Sequence, residues 1–176
     1  MKSNRKLKLW ELERVDKETF LNQKKEEILV VLDNIRSLNN VGSFFRTSDA
    51  FNIKKIYLCG ITPQPPHREI NKTAIGATQT VEWEYRESIL DLIKQLKTQE
   101  IKVISIEQTA KTKNIKELNK FMNEKRALVF GNEVDGVGQE VVDLSDEVME
   151  IPQFGTKHSL NVSVCAGIVL WEALKK

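Results

Sequence analysis

The amino-acid sequence predicts an α/β protein with a mostly parallel sheet covered by helices on both faces. Three observations lead there. Short, largely β-branched apolar runs recur at residues 28–32, 55–58, 102–106, 127–130 and 148–151. Segments with apolar residues at helical spacing alternate with them. Polar or glycine-rich stretches lie at the ends of apolar runs. Strands alternating with helices build parallel sheets buried on both sides, and ligands in such sheets bind outside the carboxyl ends of the strands.

Each element follows in order. Residues 4–21 read as a charged amphipathic helix, with Leu7, Leu9, Trp10, Leu12 and Val15 as its apolar content. Ile28-Leu29-Val30-Val31-Leu32 is a buried strand. Asn39 or Asn40 caps the helix that follows, and Val41, Phe44, Phe45 and Ser48 fall at helical spacing. Residues 55–58 form a second strand, ended by Gly60. Thr62-Pro63-Gln64-Pro65-Pro66 excludes helix and central strand, so it is a surface loop. Residues 73–77 make one short helical turn, and 81–83 a strand. Ser88 caps a helix to about Thr98 that places Ile89, Leu92, Ile93 and Leu96 on one face. Asn114 with Glu117 resembles a capping box opening a helix to about Met122. The last helix is expected over 160–174.

Length and composition narrow the classes. A chain of 176 residues fits one domain with a real core. A net charge of +2 does not announce a nucleic-acid binder, but its distribution leaves an RNA partner open. Lys2, Arg5, Lys6 and Lys8 crowd the N-terminus, Lys24 and Lys25 follow, and Lys111, Lys113, Lys116 and Lys120 form a later cluster. Cys59 and Cys165 sit apart in apolar surroundings, as buried reduced thiols do. With only His67 and His158 besides, no metal site is expected. No segment approaches the ~18 continuous apolar residues of a membrane span, and the polar N-terminus does not read as a signal peptide. A cytoplasmic protein with no membrane partner is the expectation.

Three polar tips stand out. The first spans residues 34–51 and carries Asn40, Gly42 and Arg46, whose planar fork suits phosphate recognition. The second, Gly131-Asn132-Glu133-Val134-Asp135-Gly136-Val137-Gly138, is neither a Walker A loop nor a G-x-G-x-x-G turn. The third runs from Ile151-Pro152-Gln153-Phe154-Gly155 to Ser159 and Asn161 at the mouth of the last helix. Taken singly, each has a plain structural role: an exposed helix arginine, a surface turn, a helix cap.

Together the three resemble the sequence motifs of the SpoU-type RNA methyltransferases of the trefoil-knotted SPOUT class. Residues 34–51 are similar to the first motif, Leu128-Val129-Phe130-Gly131-Asn132-Glu133 with Gly136 and Gly138 to the second, and 151–172 to the third. The likeness covers residues 28–174, preceded by a basic helical extension at 1–27 in a single domain, 1–176. It implies methyl transfer from S-adenosylmethionine to a ribose 2′-hydroxyl of tRNA or rRNA. It also implies a C-terminal trefoil knot in which the chain after Glu133 threads a loop, against the general rule for chain connections, and a homodimer whose subunits complete each other's sites. By the same resemblance, Phe130, Gly131, Asn132, Ile151, Gln153, Leu160 and Val162 hold the cofactor, and Asn40, Arg46, Glu133, Ser159 and Asn161 form the catalytic set. Arg46, Arg68 and Lys72 are implied RNA contacts. Free arginine, with a pKa above about 12, is a poor base. Arg46 therefore either loses its proton in a special pocket, or stays charged and grips the phosphate beside the ribose. Methyl transfer from a sulfonium needs no metal.

Two rivals remain open: a non-catalytic RNA-binding or ribosome-assembly module on the same fold, and a doubly wound nucleotide-binding enzyme. The missing phosphate loops weigh against the second.

Overall fold

The structure, a computed structural model, describes residues 4–175. Lys2 of the N-terminal basic cluster lies outside them. Among the described residues, seven strands form one parallel sheet: β1 (Glu26–Asp33), β2 (Ile53–Cys59), β3 (Glu82–Arg86), β4 (Lys102–Ile106), β5 (Lys113–Asn114), β6 (Arg126–Phe130) and β7 (Glu147–Glu150). Their spatial order is β3-β2-β1-β6-β4-β7-β5. Strands β1 and β6 carry the continuous apolar runs Ile28–Leu32 and Ala127–Phe130 because they are covered twice. Ile28, Val30 and Leu32 enter one core, and Leu29 and Val31 the other. Leu128 and Phe130 divide from Ala127 and Val129 in the same way, as a side-chain period of two requires.

Helices α2 (Leu38–Ala50), α3 (Arg68–Ala74) and α6 (Val162–Leu174) cover the first face, and α4 (Ile89–Thr98) and α5 (Gln139–Leu144) the second. Helix α3 presses against α2 where a side chain is missing. A Cβ at Gly42 would stand 2.0 Å from Thr73 Oγ1 and 2.3 Å from the Ile70 carbonyl oxygen. Thr73 Oγ1 donates to the carbonyl of Asn39 at 3.1 Å. At the other end of the sheet, the buried Arg126 donates to the carbonyls of Phe121 and Ala173, each at 2.7 Å. A cation there suits the negative carboxyl end of α6 and fixes that helix over the sheet.

Several sequence expectations are corrected. The single helix expected over 4–21 is a 3-10 turn at Leu9–Glu11 followed by α1 (Lys17–Asn22). The helix breaks because Glu13 takes a left-handed φ of 47° and Asp16 caps a new start, its Oδ1 accepting from the Thr19 N–H at 2.9 Å. Ser37, not Asn39 or Asn40, caps α2. The turn expected at 73–77 is split: 73–74 end α3, which begins at Arg68 under a His67 cap, Ile75 and Gly76 are left-handed, and Ala77 opens a 3-10 turn, Ala77–Gln79. The segment after Asn114 is a 3-10 helix, Ile115–Phe121, and Glu117 pairs with Lys120 at 2.7 Å. The last helix starts at Val162 with Asn161 as its cap, so Ser159 lies before it.

Candidate active site

A cleft of about 530 Å³ opens at the carboxyl ends of β4, β6 and β7, a size ordinary for small-molecule sites. Its walls are residues 106–108, 130–136, 150–151 with Gln153, 158–162, and Cys165.

The loop after β6 forms one wall, and its shape follows from glycine. Gly131 lies so close to the backbone of Gly136 and Val137 that a Cβ would come within 1.9 Å of the Gly136 carbonyl carbon. Asn132 and Gly136 exchange backbone hydrogen bonds, both 3.1 Å. Asn132 Oδ1 accepts from the N–H groups of Val134 and Asp135 at 2.9 and 2.8 Å, the usual side-chain mimicry of a turn. Two carboxylates then clamp the loop between strand ends. Glu107 Oε2 accepts from the Val137 N–H at 2.8 Å, and Asp33 Oδ2 from the Gly138 N–H at 3.2 Å. Burial pushes the Asp33 carboxyl up, against the pull of Gly138 and Asn34.

Glu133 ties this loop to α2. It accepts from the N–H groups of Arg36 and Ser37 at 3.1 and 3.2 Å, and from Asn40 Nδ2 at 2.8 Å. Asn161 Nδ2 donates to Asn40 Oδ1 at 3.2 Å, while Asn161 Oδ1 caps α6 through the N–H groups of Ser163 and Val164. The structure thus brings Asn40, Glu133 and Asn161 into one hydrogen-bonded chain. Partial burial pushes the Glu133 carboxyl up, but its donors outweigh that and hold it below the ordinary glutamate value of 4.5. A carboxylate depressed on folding stabilises the protein above its unfolded pKa and loses that contribution as pH falls through the folded value. We therefore expect Glu133→Gln to lower the urea midpoint most at neutral pH. The gap from wild type should narrow on acidification below about 4.5, and an equal gap in acid would reject this account.

The segment from 151 to 160 lines the other wall. Among the described residues its backbone makes a single hydrogen bond, Gln108 Nε2 to the His158 carbonyl at 2.9 Å. Its other N–H and C=O groups face solvent or the cleft, free to read the edge of a heterocycle. The cleft has four carboxylates on its walls, Glu107, Glu133, Asp135 and Glu150, and neither lysine nor arginine among the described residues. That charge suits a cationic ligand and opposes a polyphosphate. The expected cofactor set Phe130, Gly131, Asn132, Ile151, Gln153, Leu160 and Val162 all lies on these walls, as do Glu133, Ser159 and Asn161. Backbone groups, a cavity of this size and a negative lining fit a sulfonium-bearing nucleoside.

Arg46, Arg68 and Lys72 lie elsewhere. Arg46 is exposed on α2, off the cleft of its own chain, with no hydrogen bond or ion pair among the described residues. Six residues after Asn40, it projects from a different side of the helix. Arg68 and Lys72 are exposed on α3. Sequence reading missed Glu107, Gln108, Glu150, His158 and Cys165 as wall residues. Glu107 and Gln108 follow β4 directly, so their place at a strand's carboxyl end was the available signal. Burial pushes the thiols of Cys59 and Cys165 up to about 12, and both are free.

Comparison with known proteins adds four findings. Residues 27–171 match the model of the SpoU rRNA Methylase family. A tRNA (guanosine(18)-2′-O)-methyltransferase of Aquifex aeolicus is 29% identical over 162 residues, which are 89% of this chain and 72% of that protein. Among solved structures, an A. aeolicus TrmH/SpoU tRNA modifying enzyme superposes with a TM-score of 0.80 at 25% identity, covering 90% of this chain and 79% of the other. An AdoMet-bound rRNA methyltransferase from Sinorhizobium meliloti gives 0.79 at 27% identity, over 85% of this chain and 56% of that one.

Proposed function

The chain belongs to the SpoU rRNA methylase family, and from that membership we propose that it transfers a methyl group from S-adenosylmethionine to a ribose 2′-hydroxyl of tRNA or rRNA. The observation that carries this reading is the cleft at the ends of β4, β6 and β7, with its unpaired backbone at 151–160 and its carboxylate lining. Bound there, S-adenosylmethionine supplies an activated methyl group. The backbone around Phe130, Gly131, Ile151 and Leu160 holds it, with Asn132, Gln153 and Val162 completing the wall. The Asn40–Glu133–Asn161 chain keeps the loop after β6, the start of α2 and the cap of α6 in one fixed arrangement, so the pocket is set before ligand arrives. Ser159 lies beside that cap and takes part in the same site.

The proposal includes a homodimer working in the cytoplasm. Helix α6 is apolar but for Ser163 and Glu172, and its outer residues Val164, Ile168 and Trp171 are exposed, Trp171 by 63%. Burying that stripe against a second copy satisfies an apolar face which water otherwise meets. A second copy also supplies what one chain lacks, an Arg46 guanidinium beside the cleft. The knotted passage belongs to the same reading: β6 inserts between β1 and β4, the chain continues past β4 to β7, and α6 returns over α2. So do the single domain 1–176 and its basic extension 1–27. No helix of the described residues is long and apolar enough to cross a membrane.

Calorimetry with S-adenosylmethionine, followed by transfer of labelled methyl to total tRNA and to ribosomal RNA, tests this function. Binding with transfer to one class at a ribose oxygen is expected. No cofactor binding at millimolar concentration would favour a non-catalytic RNA-binding or ribosome-assembly module instead.

A further inference from the structure

Helix α3 ends on a residue poorly suited to its backbone. Ile75, the C-terminal cap, sits in the left-handed region at φ 48°, ψ 51°, and its N–H donates to the Asn71 carbonyl at 3.0 Å. Glycine is the common choice at such an end. A β-branched side chain there crowds the following carbonyl. Of the five described non-glycine residues with positive φ, Ile75 alone is β-branched; the others are Glu13, Asn34, Asn52 and Glu100. Burial does not offset the strain, since Ile75 is 66% exposed. Gly76 follows, also left-handed at φ 86°, with open space beside it. Among the described residues, Ile75 enters neither core cluster, so packing there does not account for its backbone. Strain held at an exposed position points to a contact made outside the chain.

The surroundings identify that contact's chemistry. Arg68, Asn71, Lys72 and Ile75 are all exposed and share one face of α3 by their spacing. The opposite face, Ile70 and Ala74, packs on α2 beside Gly42, one turn before the exposed Arg46. Two cations and an aliphatic tip therefore stand on the exposed face of the helix that packs against α2, the helix carrying the residue that the proposed reaction assigns to the RNA. Cations position phosphates, and apolar side chains pack against or wedge between bases. Resting on the proposed function, we propose that the outer face of α3 docks RNA next to the modified nucleotide, with Arg68 and Lys72 on phosphates and Ile75 against a base or ribose. A protein partner fits less well, because the apolar part is one side chain flanked by charge.

The test compares Ile75→Gly and Ile75→Asn, both suited to the left-handed backbone, with Ile75→Leu and Lys72→Ala. RNA affinity is measured by filter binding across salt concentrations, beside thermal midpoints and cofactor affinity. The Gly and Asn variants should melt no lower than wild type and bind cofactor normally. They should bind RNA roughly tenfold more weakly, the scale of one buried aliphatic side chain, with an unchanged salt slope. Ile75→Leu should keep most of the affinity. Lys72→Ala should reduce the salt slope by about one. Wild-type RNA affinity in the Gly variant would overturn the proposal. So would lower midpoints in both the Gly and Asn variants, or a change in self-association by sedimentation in place of RNA binding. RNA binding is read apart from methyl transfer. An inactive wild type that still binds RNA through Ile75 would therefore reject the proposed reaction and leave this inference standing.

Discussion

Replacing Arg46 by alanine should lower methyl transfer roughly a hundred- to a thousandfold, the scale of losing one positioned charge at a reacting centre, with fold and cofactor affinity intact. The side chain is exposed, pairs with nothing among the described residues, and leaves the cleft of its own chain untouched. Exposed substitutions of this kind shift stability within about 0.5 kcal/mol. Calorimetry and thermal melting should therefore match wild type while turnover collapses. Arg46→Lys separates the two chemical roles left open by the sequence. Lysine keeps a point charge but loses the fork, so a phosphate clamp retains part of its rate and responds mainly in KM for RNA. A deprotonated base instead shows a displaced pH profile in the lysine variant. Full activity in Arg46→Ala would reject the assignment outright.

The strands were legible because doubly covered strands are continuous apolar runs, and nearly every such run became one. Boundaries were less legible. Ser37 rather than Asn39 or Asn40 opens α2, and Asn161 rather than Ser159 opens α6, because a cap is decided by which oxygen reaches the backbone N–H groups, not by residue type. Short elements escaped altogether. The two residues of β5 and the six of α5 are below the length at which periodicity speaks. The N-terminal helix failed for a related reason: Leu7, Leu9, Trp10 and Leu12 never gather on one face, and the segment breaks at Glu13. At the site, the resemblance to the family motifs pointed to residues on both sides of the cleft but not to the clamps. Asp33 and Glu107 are single carboxylates at strand ends, and they gain meaning only when Gly138 and Val137 arrive from far along the chain.

The sharpest steric test is Gly131→Ala, expected to weaken cofactor binding roughly hundredfold, the scale on which small misplacements of a set geometry act. The added Cβ would stand 1.9 Å from the Gly136 carbonyl carbon, 2.1 Å from the Val137 nitrogen and 2.3 Å from the Gly136 oxygen. All three are backbone atoms, so no rotamer change relieves the clash, and the loop itself must open. Opening it strains the Asn132–Gly136 pair and the Glu107 hydrogen bond to Val137, and pulls Glu133 away from α2. Overpacking of this kind costs about 1–3 kcal/mol, so the variant should still fold and melt earlier. Gly138→Ala, near the same loop's far end, is the contrast. Its φ is −57°, and its added Cβ meets Asp33 Oδ2 at 3.7 Å and Val141 at 4.0 Å. That variant should keep cofactor affinity within a few-fold of wild type, since those contacts are ordinary van der Waals distances. Equal losses at both positions would mean that loop flexibility, and not the close approach at Gly131, governs the pocket.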